Sequence, residues 1–320
     1  MSAIIEIKNL SKLFARRLAV SDVNLSIENG EIFGLVGPNG AGKTTTMRML
    51  VTLLQPDRGE ITVGGHSVRK FPRDVRRMIG FMPDSFGVYN DMTVQEYLDF
   101  FGACYKIPPA QRKTLINDLL QLVDIAHRRG DMVDTLSRGL KQRLSIARVL
   151  IHDPSILILD EPASGLDPRA RVEIRELLLE IARLGKTIIF SSHILADVAE
   201  LCTRVGIMES GKLVALGALN ELTEKAMPHR LIRIAFLNRI ESEKAQAALA
   251  ALPGISEVRA QDGLGKAGWV SFEAEFTGDD ASLQSLLSAL VAQGLPIVHF
   301  SEVTQDLEEV FMRTTRGIVS

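Results

Sequence analysis

The chain has few of the features that mark secreted or membrane-spanning proteins. It carries two cysteines in 320 residues, Cys104 and Cys202, far apart in the chain and without metal-ligand neighbours. This usage predicts two reduced, packed thiols rather than a disulfide framework. No apolar run approaches the roughly 18 residues that span a bilayer, and the first residues carry no basic, apolar export signal. The chain is therefore expected to lack a membrane span of its own.

A large charge of one sign is also missing. The formal net charge is −2, with 46% hydrophobic and 24% charged residues, which describes an ordinary globular protein. Neither half of the chain is a polybasic module, so no nucleic-acid partner is predicted. The length favours two domains, which we place at residues 1–225 and 226–320.

Patterns along the first domain predict an α/β fold with a sheet core. Strands are predicted at residues 4–7, 20–27, 31–36, 60–63, 155–159 and 187–190. Helices are predicted at residues 44–54, 169–184 and 194–202. The alternation of strand and helix favours parallel strands. Helical periodicity from residue 93 to about 126 predicts a helical insertion, at about residues 86–150, between two sheet-forming halves.

The second domain has a different element order. Strands are predicted at residues 231–237, 255–260, 269–276 and 296–300, and helices at 241–252, 281–293 and 306–314. The order β-α-β-β-α-β indicates a small α+β unit of the ferredoxin-like type. It contains no recognisable ligand site.

A complete phosphate-binding loop, G-x-x-x-x-G-K-T, lies between a predicted strand and a predicted helix. Its residues are Gly37, Pro38, Asn39, Gly40, Ala41, Gly42, Lys43 and Thr44, with Thr45 next in the helix. The glycines let backbone N–H groups point at phosphate oxygens, and the helix adds its positive N-terminal end. Lys43 is predicted to reach the outer phosphates and Thr44 to bind Mg²⁺. The chain is therefore predicted to bind a nucleotide.

The loop alone is compatible with a kinase, a GTPase, a helicase or a transporter motor. A second anchor is Asp160, followed by Glu161, at the carboxyl end of a buried strand where ligands of α/β sheets collect. Asp160 is predicted to hold Mg²⁺ from its second coordination shell or through water, and Glu161 to act as the general base on the attacking water.

A third segment, Leu136-Ser137-Arg138-Gly139-Leu140, opens a helix in which Ser137 is a natural N-cap. The N–H groups beside Gly139 form a second possible anion site. Together with the loop and the Asp-Glu pair, this segment resembles the signature of ATP-binding cassette (ABC) ATPases. Residues 164–167 resemble that family's dimer-interface turn, His193 its switch histidine, and Phe14 its adenine-stacking aromatic. The resemblance covers residues from about 3 to 220.

The resemblance implies an ABC-type nucleotide-binding domain that works as a head-to-tail dimer with ATP and Mg²⁺. The loop of one copy holds the phosphates, while Ser137 and Gly139 of the other close over the γ-phosphate. His193 is expected to bond the γ-phosphate and help position the water. The resemblance also implies integral membrane permease subunits as partners, and a peripheral location on the cytoplasmic face of the cell membrane.

Two positions depart from the family pattern. Asp84 stands where the family has Gln or Glu, and a carboxylate is shorter and accepts hydrogen bonds only. Asp84 is expected to keep a catalytic and metal-binding role with slower turnover. The signature has Arg138 and Leu140 in place of Gly and Gln, which resembles the exporter branch, as do residues 85–89 and 306–311. No loss of activity is expected from these changes.

The leading prediction is the ATP-hydrolysing subunit of an ABC exporter. Val88, Tyr89 and Tyr97 are candidate contacts with a membrane partner, although burial of these residues is an equal alternative. The second hypothesis is a non-transport cassette ATPase that acts in translation or DNA repair. The third, a kinase or GTPase, leaves the Ser137 and His193 segments unexplained. The transported substrate is not readable from this chain.

Overall fold

The computed structural model describes residues 3–15, 17–84, 91–226, 230–237, 242–261 and 268–303. Contacts divide the described residues into two compact units, with the boundary between Leu219 and Asn220. Each unit has its own sheet and its own hydrophobic core.

The first unit alternates strands and helices. Its strands are β1 (Ala3–Phe14), β2 (Arg17–Glu28), β3 (Ile32–Val36), β4 (Arg58–Val63), β5 (His66–Ser67), β6 (Ile79–Met82), β7 (Ile156–Asp160), β8 (Thr187–Ser192), β9 (Arg204–Glu209) and β10 (Lys212–Ala218). Its helices are α1 (Lys43–Leu50), α2 (Pro72–Met78), α3 (Val94–Cys104), α4 (Pro109–Leu122), α5 (Arg138–Leu150), α6 (Pro168–Arg183) and α7 (Leu195–Leu201), and α8 (Leu219–Ala226) begins at the boundary.

The central sheet of this unit has the strand order β10-β9-β3-β8-β7-β6. Its strands are parallel except β10, which pairs antiparallel with β9. Every residue of β3, β7 and β8 is buried, as expected for strands covered on both faces. The predicted α/β class with a mixed sheet is confirmed. The arrangement brings the carboxyl ends of β3, β7, β8 and β6 to one edge of the sheet.

A second, antiparallel sheet of the order β2-β1-β4-β5 completes this core. Along β2, Val23, Leu25 and Ile27 are buried while the residues between them are exposed, because alternate side chains point to opposite faces. The buried face joins one hydrophobic cluster with α1 and the central sheet.

The helical periodicity after residue 93 corresponds to two helices, α3 and α4, rather than one. Lys106 has a left-handed φ of 61°, and Pro108 and Pro109 open α4, so the first helix cannot continue. A capping box, in which Thr93 and Glu96 bond each other's backbone N–H, fixes the start of α3. Cys104, the last residue of α3, is exposed, so the prediction of a packed thiol is wrong there; Cys202 is largely buried.

The second unit has the elements β11 (Arg230–Leu237), α9 (Ser242–Ala250), β12 (Ile255–Gln261), β13 (Trp269–Phe276), α10 (Asp280–Ala292) and β14 (Ile297–Glu302). They form an antiparallel sheet of the order β12-β13-β11-β14. Ile234, Phe236 and Phe272 pack with Leu286 and Leu290 of α10 in its core. The predicted β-α-β-β-α-β unit is confirmed; the helix predicted at residues 306–314 lies outside the described residues.

Among the described helices, none combines the length and the apolar composition that crossing a membrane requires.

Candidate functional site

The phosphate loop joins β3 to α1 in a conformation that needs its glycines. Gly40 and Gly42 have φ values of 82° and 103°, which L side chains rarely adopt. A Cβ on Gly37 would collide with the carbonyl oxygen of Met208, and one on Gly42 would lie 2.6 Å from that of Ala19. No side chain caps α1, and its first turn has no acidic residue. The N-terminus of α1 is thus available to an anion.

Lys43 lies inside the loop, with 6% of its surface exposed. Its Nζ donates to the carbonyl oxygen of Gly37 at 2.6 Å and to that of Pro38 at 3.3 Å, and it lies 3.7 Å from Oε1 of Glu161. Burial lowers the pKa of Lys43, while the charges of Glu161 and Asp160 oppose that shift. The ammonium group therefore lies among backbone carbonyls of the phosphate loop and faces Glu161.

Asp160 ends β7 and is 1% exposed. Its Oδ1 accepts from the hydroxyl of Ser191 at 2.6 Å and from that of Thr44 at 3.2 Å. A carboxylate and a hydroxyl side by side are the hard oxygen ligands that suit Mg²⁺. No cluster of three or more His, Cys, Asp or Glu side chains in the described part of the chain could hold a metal alone. The donors therefore fit a cation that takes its other ligands from phosphates and water.

Glu161 follows Asp160 in a left-handed conformation, φ 53°, which is uncommon for a residue other than glycine. Its N–H donates to the Ser191 hydroxyl at 3.0 Å, so one serine fixes both acidic residues. Its Oε2 lies 2.7 Å from Nδ1 of His193, and its side chain is 13% exposed. The surroundings thus hold a strained backbone and a carboxylate paired with an imidazole, which is a feature of functional sites.

Lys43, Thr44, Glu161 and His193 line one cavity of about 480 Å³, whereas Gly37 and Asp160 do not line it. Of the predicted site residues, it is lined by Phe14, Pro38, Asn39, Gly40, Ala41, Gly42, Lys43, Thr44, Thr45, Asp84, Glu161 and His193. Sequence reasoning missed Arg17, Leu18 and Ala19, which also line it. Their closeness to Phe14 in the sequence could have indicated them, because they follow that predicted adenine contact at the start of β2. Ser191 was missed as well, although it lies two residues before His193.

Ser137 and Gly139 do not line this cavity. Ser137 is the N-cap of α5 and accepts from the N–H of Leu140 at 3.4 Å. The guanidinium of Arg138 lies against Gly165, at a distance that leaves no room for a Cβ. The signature segment and the turn at residues 164–167 are therefore neighbours in one chain.

The site combines a phosphate loop after β3, a buried aspartate at the end of β7, two strands away in the sheet, and a glutamate paired with a histidine. This combination defines a nucleoside-triphosphate hydrolase of the phosphate-loop class. A family model described as "ABC transporter" matches residues 20–164. A second, described as "ATP-binding protein DrrA1-3-like, C-terminal domain", matches residues 217–315.

The chain is similar to curated proteins over most of its length. It is 34% identical to the linearmycin resistance ATP-binding protein LnrL of Bacillus subtilis, over 72% of this chain and 74% of that protein. It is 37% identical to the Nod factor export ATP-binding protein I of Burkholderia lata, over 72% of this chain and 76% of that protein. A solved structure, cbiO1 from Clostridium perfringens, described as part of the ABC transporter complex cbiONQ, aligns with a TM-score of 0.64 and 29% identity. The alignment covers 71% of this chain and 95% of that one.

The chain belongs to the ABC transporter ATP-binding proteins and is an ATPase that binds ATP. The predicted family is confirmed, and transport is favoured over a role in translation or DNA repair.

We predict that Lys43→Ala weakens ATP binding. The substitution removes a charge-assisted hydrogen bond to phosphate, about 1.5–3 kcal/mol, or roughly ten-fold to a hundred-fold in Kd. Titration calorimetry with ATP measures this. Lys70→Ala removes an exposed lysine of the same unit and should leave Kd unchanged. An unchanged Kd for Lys43→Ala would contradict the assignment.

We predict that Asp84→Gln raises the rate of ATP hydrolysis several-fold and shifts its Mg²⁺ dependence. Glutamine is one methylene longer, and its amide donates to water while its oxygen accepts. Steady-state ATPase assays over a Mg²⁺ series measure both. Asp118→Asn, an exposed residue on α4, is the matched control. If rate and Mg²⁺ dependence stay the same, Asp84 has no part in the reaction.

Proposed function

We propose that this chain hydrolyses ATP at composite sites formed by two copies of itself and thereby drives export through separate membrane subunits. Its similarity to proteins named for linearmycin resistance and Nod factor export supports an export role. The observation that carries the dimer is the position of α5. Its N-terminus, with Ser137 and Gly139, lies away from the cavity of its own chain. A second copy would bring such a terminus to the phosphates.

The binding half of the reaction rests on the phosphate loop. The N–H groups at the start of α1 and the ammonium of Lys43 bind the phosphates, and Phe14 stacks on the adenine. Thr44 and Asp160, with Asp84, would hold Mg²⁺, which when bound neutralises charge that develops on the phosphates. Ser137 and Gly139 of the partner copy close the site over the γ-phosphate.

The chemical half rests on Glu161 and His193. Glu161 accepts a proton from the attacking water, and His193 orients its carboxylate through the 2.7 Å contact of Nδ1 with Oε2. Glu161 also faces Lys43, with Oε1 3.7 Å from Nζ. A γ-phosphate would compete for Lys43 and release the carboxylate toward water. Binding of the triphosphate and activation of the base are thereby linked.

The proposed export through a membrane calls for an integral membrane partner, which similarity to ATP-binding subunits named for export supports. Such a partner places the chain at the cytoplasmic face of the membrane, as a peripheral subunit. The solved relative cbiO1 is described as part of a complex with further components. Of the candidate contacts, Tyr97 follows the burial alternative: it is 1% exposed and packs edge-on against Phe101, with ring centroids 5.0 Å apart. Val88 and Tyr89 lie outside the described residues.

We predict that Glu161→Gln lowers ATP hydrolysis by about 10²–10⁴-fold, because the amide cannot accept the proton. ATP binding should persist, and a dimer should accumulate because closed sites no longer turn over. Size-exclusion chromatography with light scattering, with and without ATP, measures the dimer. A variant that hydrolyses at the native rate would show that Glu161 is not the base.

The composite site has its own control. Lys43→Ala and Ser137→Arg should each be inactive alone, because each spoils both sites of its homodimer. When the two variants are mixed, heterodimers contain one intact site, and part of the activity should return. A mixture as inactive as its components would contradict a site shared between copies.

The export role predicts co-purification with a membrane protein. The full chain, expressed with an affinity tag in its native cell, should be recovered from detergent extract with an integral membrane subunit, and ATP hydrolysis by the complex should respond to reconstitution in vesicles. Recovery with ribosomes or DNA instead would exclude transport.

A further inference from the structure

Strand β6, which leads to Asp84, lies at the end of the described central sheet and pairs with β7 on one side only. Its free edge would leave carbonyl groups without partners. Two side chains take the place of a strand there. Arg148 Nη2 donates to the carbonyl oxygen of Phe81 at 3.2 Å, and His152 Nε2 lies 3.1 Å from that of Ile79. The carbonyl groups of Ile79 and Phe81, alternate residues of β6, are thus bound by side chains from one segment of the chain.

That segment is α5 and the turn that follows it. The contact extends to the backbone, since a Cβ on Gly80 would lie 2.5 Å from the carbonyl oxygen of Val149. A side chain at residue 80 would hold the helix away from the strand. The C-terminal end of α5 and strand β6 are therefore in direct backbone contact, as well as joined by the two hydrogen bonds.

Aromatic rings of α3 and of Tyr105, the residue that follows it, contact the two linking side chains. The guanidinium carbon of Arg148 lies 5.4 Å from the ring centroid of Phe101. The His152 ring stacks on Tyr105 with centroids 4.1 Å apart and an angle of 5°. Arg148 Nε and His152 Nδ1 are buried without a hydrogen-bond partner in the described structure. A buried polar atom without a hydrogen bond lowers the stability of the fold, so a functional reason for keeping these two atoms is expected.

The two ends of α5 lie at different parts of the proposed reaction. Ser137 caps its N-terminus and is proposed to meet the γ-phosphate bound by the partner copy. Its other end holds β6, which ends at Met82 and is followed directly by Pro83 and Asp84. The helix has 13 residues and a length of about 20 Å. A helix of this length transmits displacement as a rigid rod.

We propose that Arg148 and His152 are positioning residues that couple α5 to Asp84, so that closure of the signature segment over the partner's ATP sets the position of Asp84. The coupling deepens the proposed function and rests on it. Arg148 and His152 do not line the nucleotide cavity. They act through the strand: movement of α5 carries the Phe81 and Ile79 carbonyls, and Asp84 with them.

The test is a double-mutant cycle between Arg148 and Asp84 on the full chain. Arg148→Met keeps the stem against Phe101 and removes the donor to Phe81. It should lower kcat roughly ten-fold to a hundred-fold, as misplacement of a catalytic group does, with KM for ATP within two-fold. In the Asp84→Ala background the same substitution should lower kcat no further. If the reductions of kcat by Arg148→Met and by Asp84→Ala multiply in the double variant, the proposal is overturned.

His152 and an exposed arginine provide the controls. His152→Gln keeps a donor toward Ile79 and should retain most of the native kcat, whereas His152→Leu should behave like Arg148→Met. If Arg148→Met does not fold, the cycle is measured with His152→Leu. Arg73→Met, on the exposed side of α2, should leave kcat unchanged. Equal losses in the Gln and Leu variants would also overturn the proposal. A native chain without ATP hydrolysis would instead refute the proposed function.

Discussion

The structure depends on the close approach of backbone segments around a phosphate loop that leaves no room for side chains at Gly37 and Gly42. Gly37 packs under the carbonyl of Met208 in β9, and Gly42 beneath that of Ala19 in β2. The N–H of Gly211 donates to the carbonyl of Ala41 at 3.0 Å, so three segments converge on the loop. Backbone N–H groups can face an anion only while these contacts hold the turn. The mixed sheet and the antiparallel sheet are joined where the nucleotide binds.

Within this frame, opposite charges are distributed so that each stays near a partner. Lys43 is buried among carbonyl oxygens and faces Glu161, while Asp160 is satisfied by two hydroxyl groups. The left-handed conformation of Glu161 directs its carboxylate toward the loop and His193. The carboxylate of Asp160 stays at the edge of the sheet. A buried charge without such partners would cost several kcal/mol. The buried charges of Lys43 and Asp160 therefore have partners within the chain, and a bound triphosphate would compete for those partners.

The sequence predicted what depends on local spacing and not what depends on long-range contact. The loop, the acidic pair and the N-cap at Ser137 follow from residue types at fixed offsets, and their placement on strand ends and a helix start could be predicted. β9 and β10 were not predicted as strands, because their pairing with β3 and with each other is set by the sheet. The burial of Tyr97 depends on the packing of α3, so the sequence pattern left open whether it is a surface contact or a core residue. The link from Arg148 to Phe81 joins residues distant in the chain, and neither residue type signals it.

Helix α5 is the element that all parts of the site share. Near its start, Arg138 lies on Gly165, and Gln142 donates to the carbonyl of Pro162, the residue after Glu161. At its end, it holds the strand that leads to Asp84. Gln142 thus links α5 to the residue after Glu161, and Arg148 links it to the strand that precedes Asp84. In the proposed dimer the N-terminus of α5 meets the ATP bound by the other copy, so association of the two copies would act on both linked segments together. A chain built in this way would hydrolyse ATP slowly when alone without any separate inhibitory element.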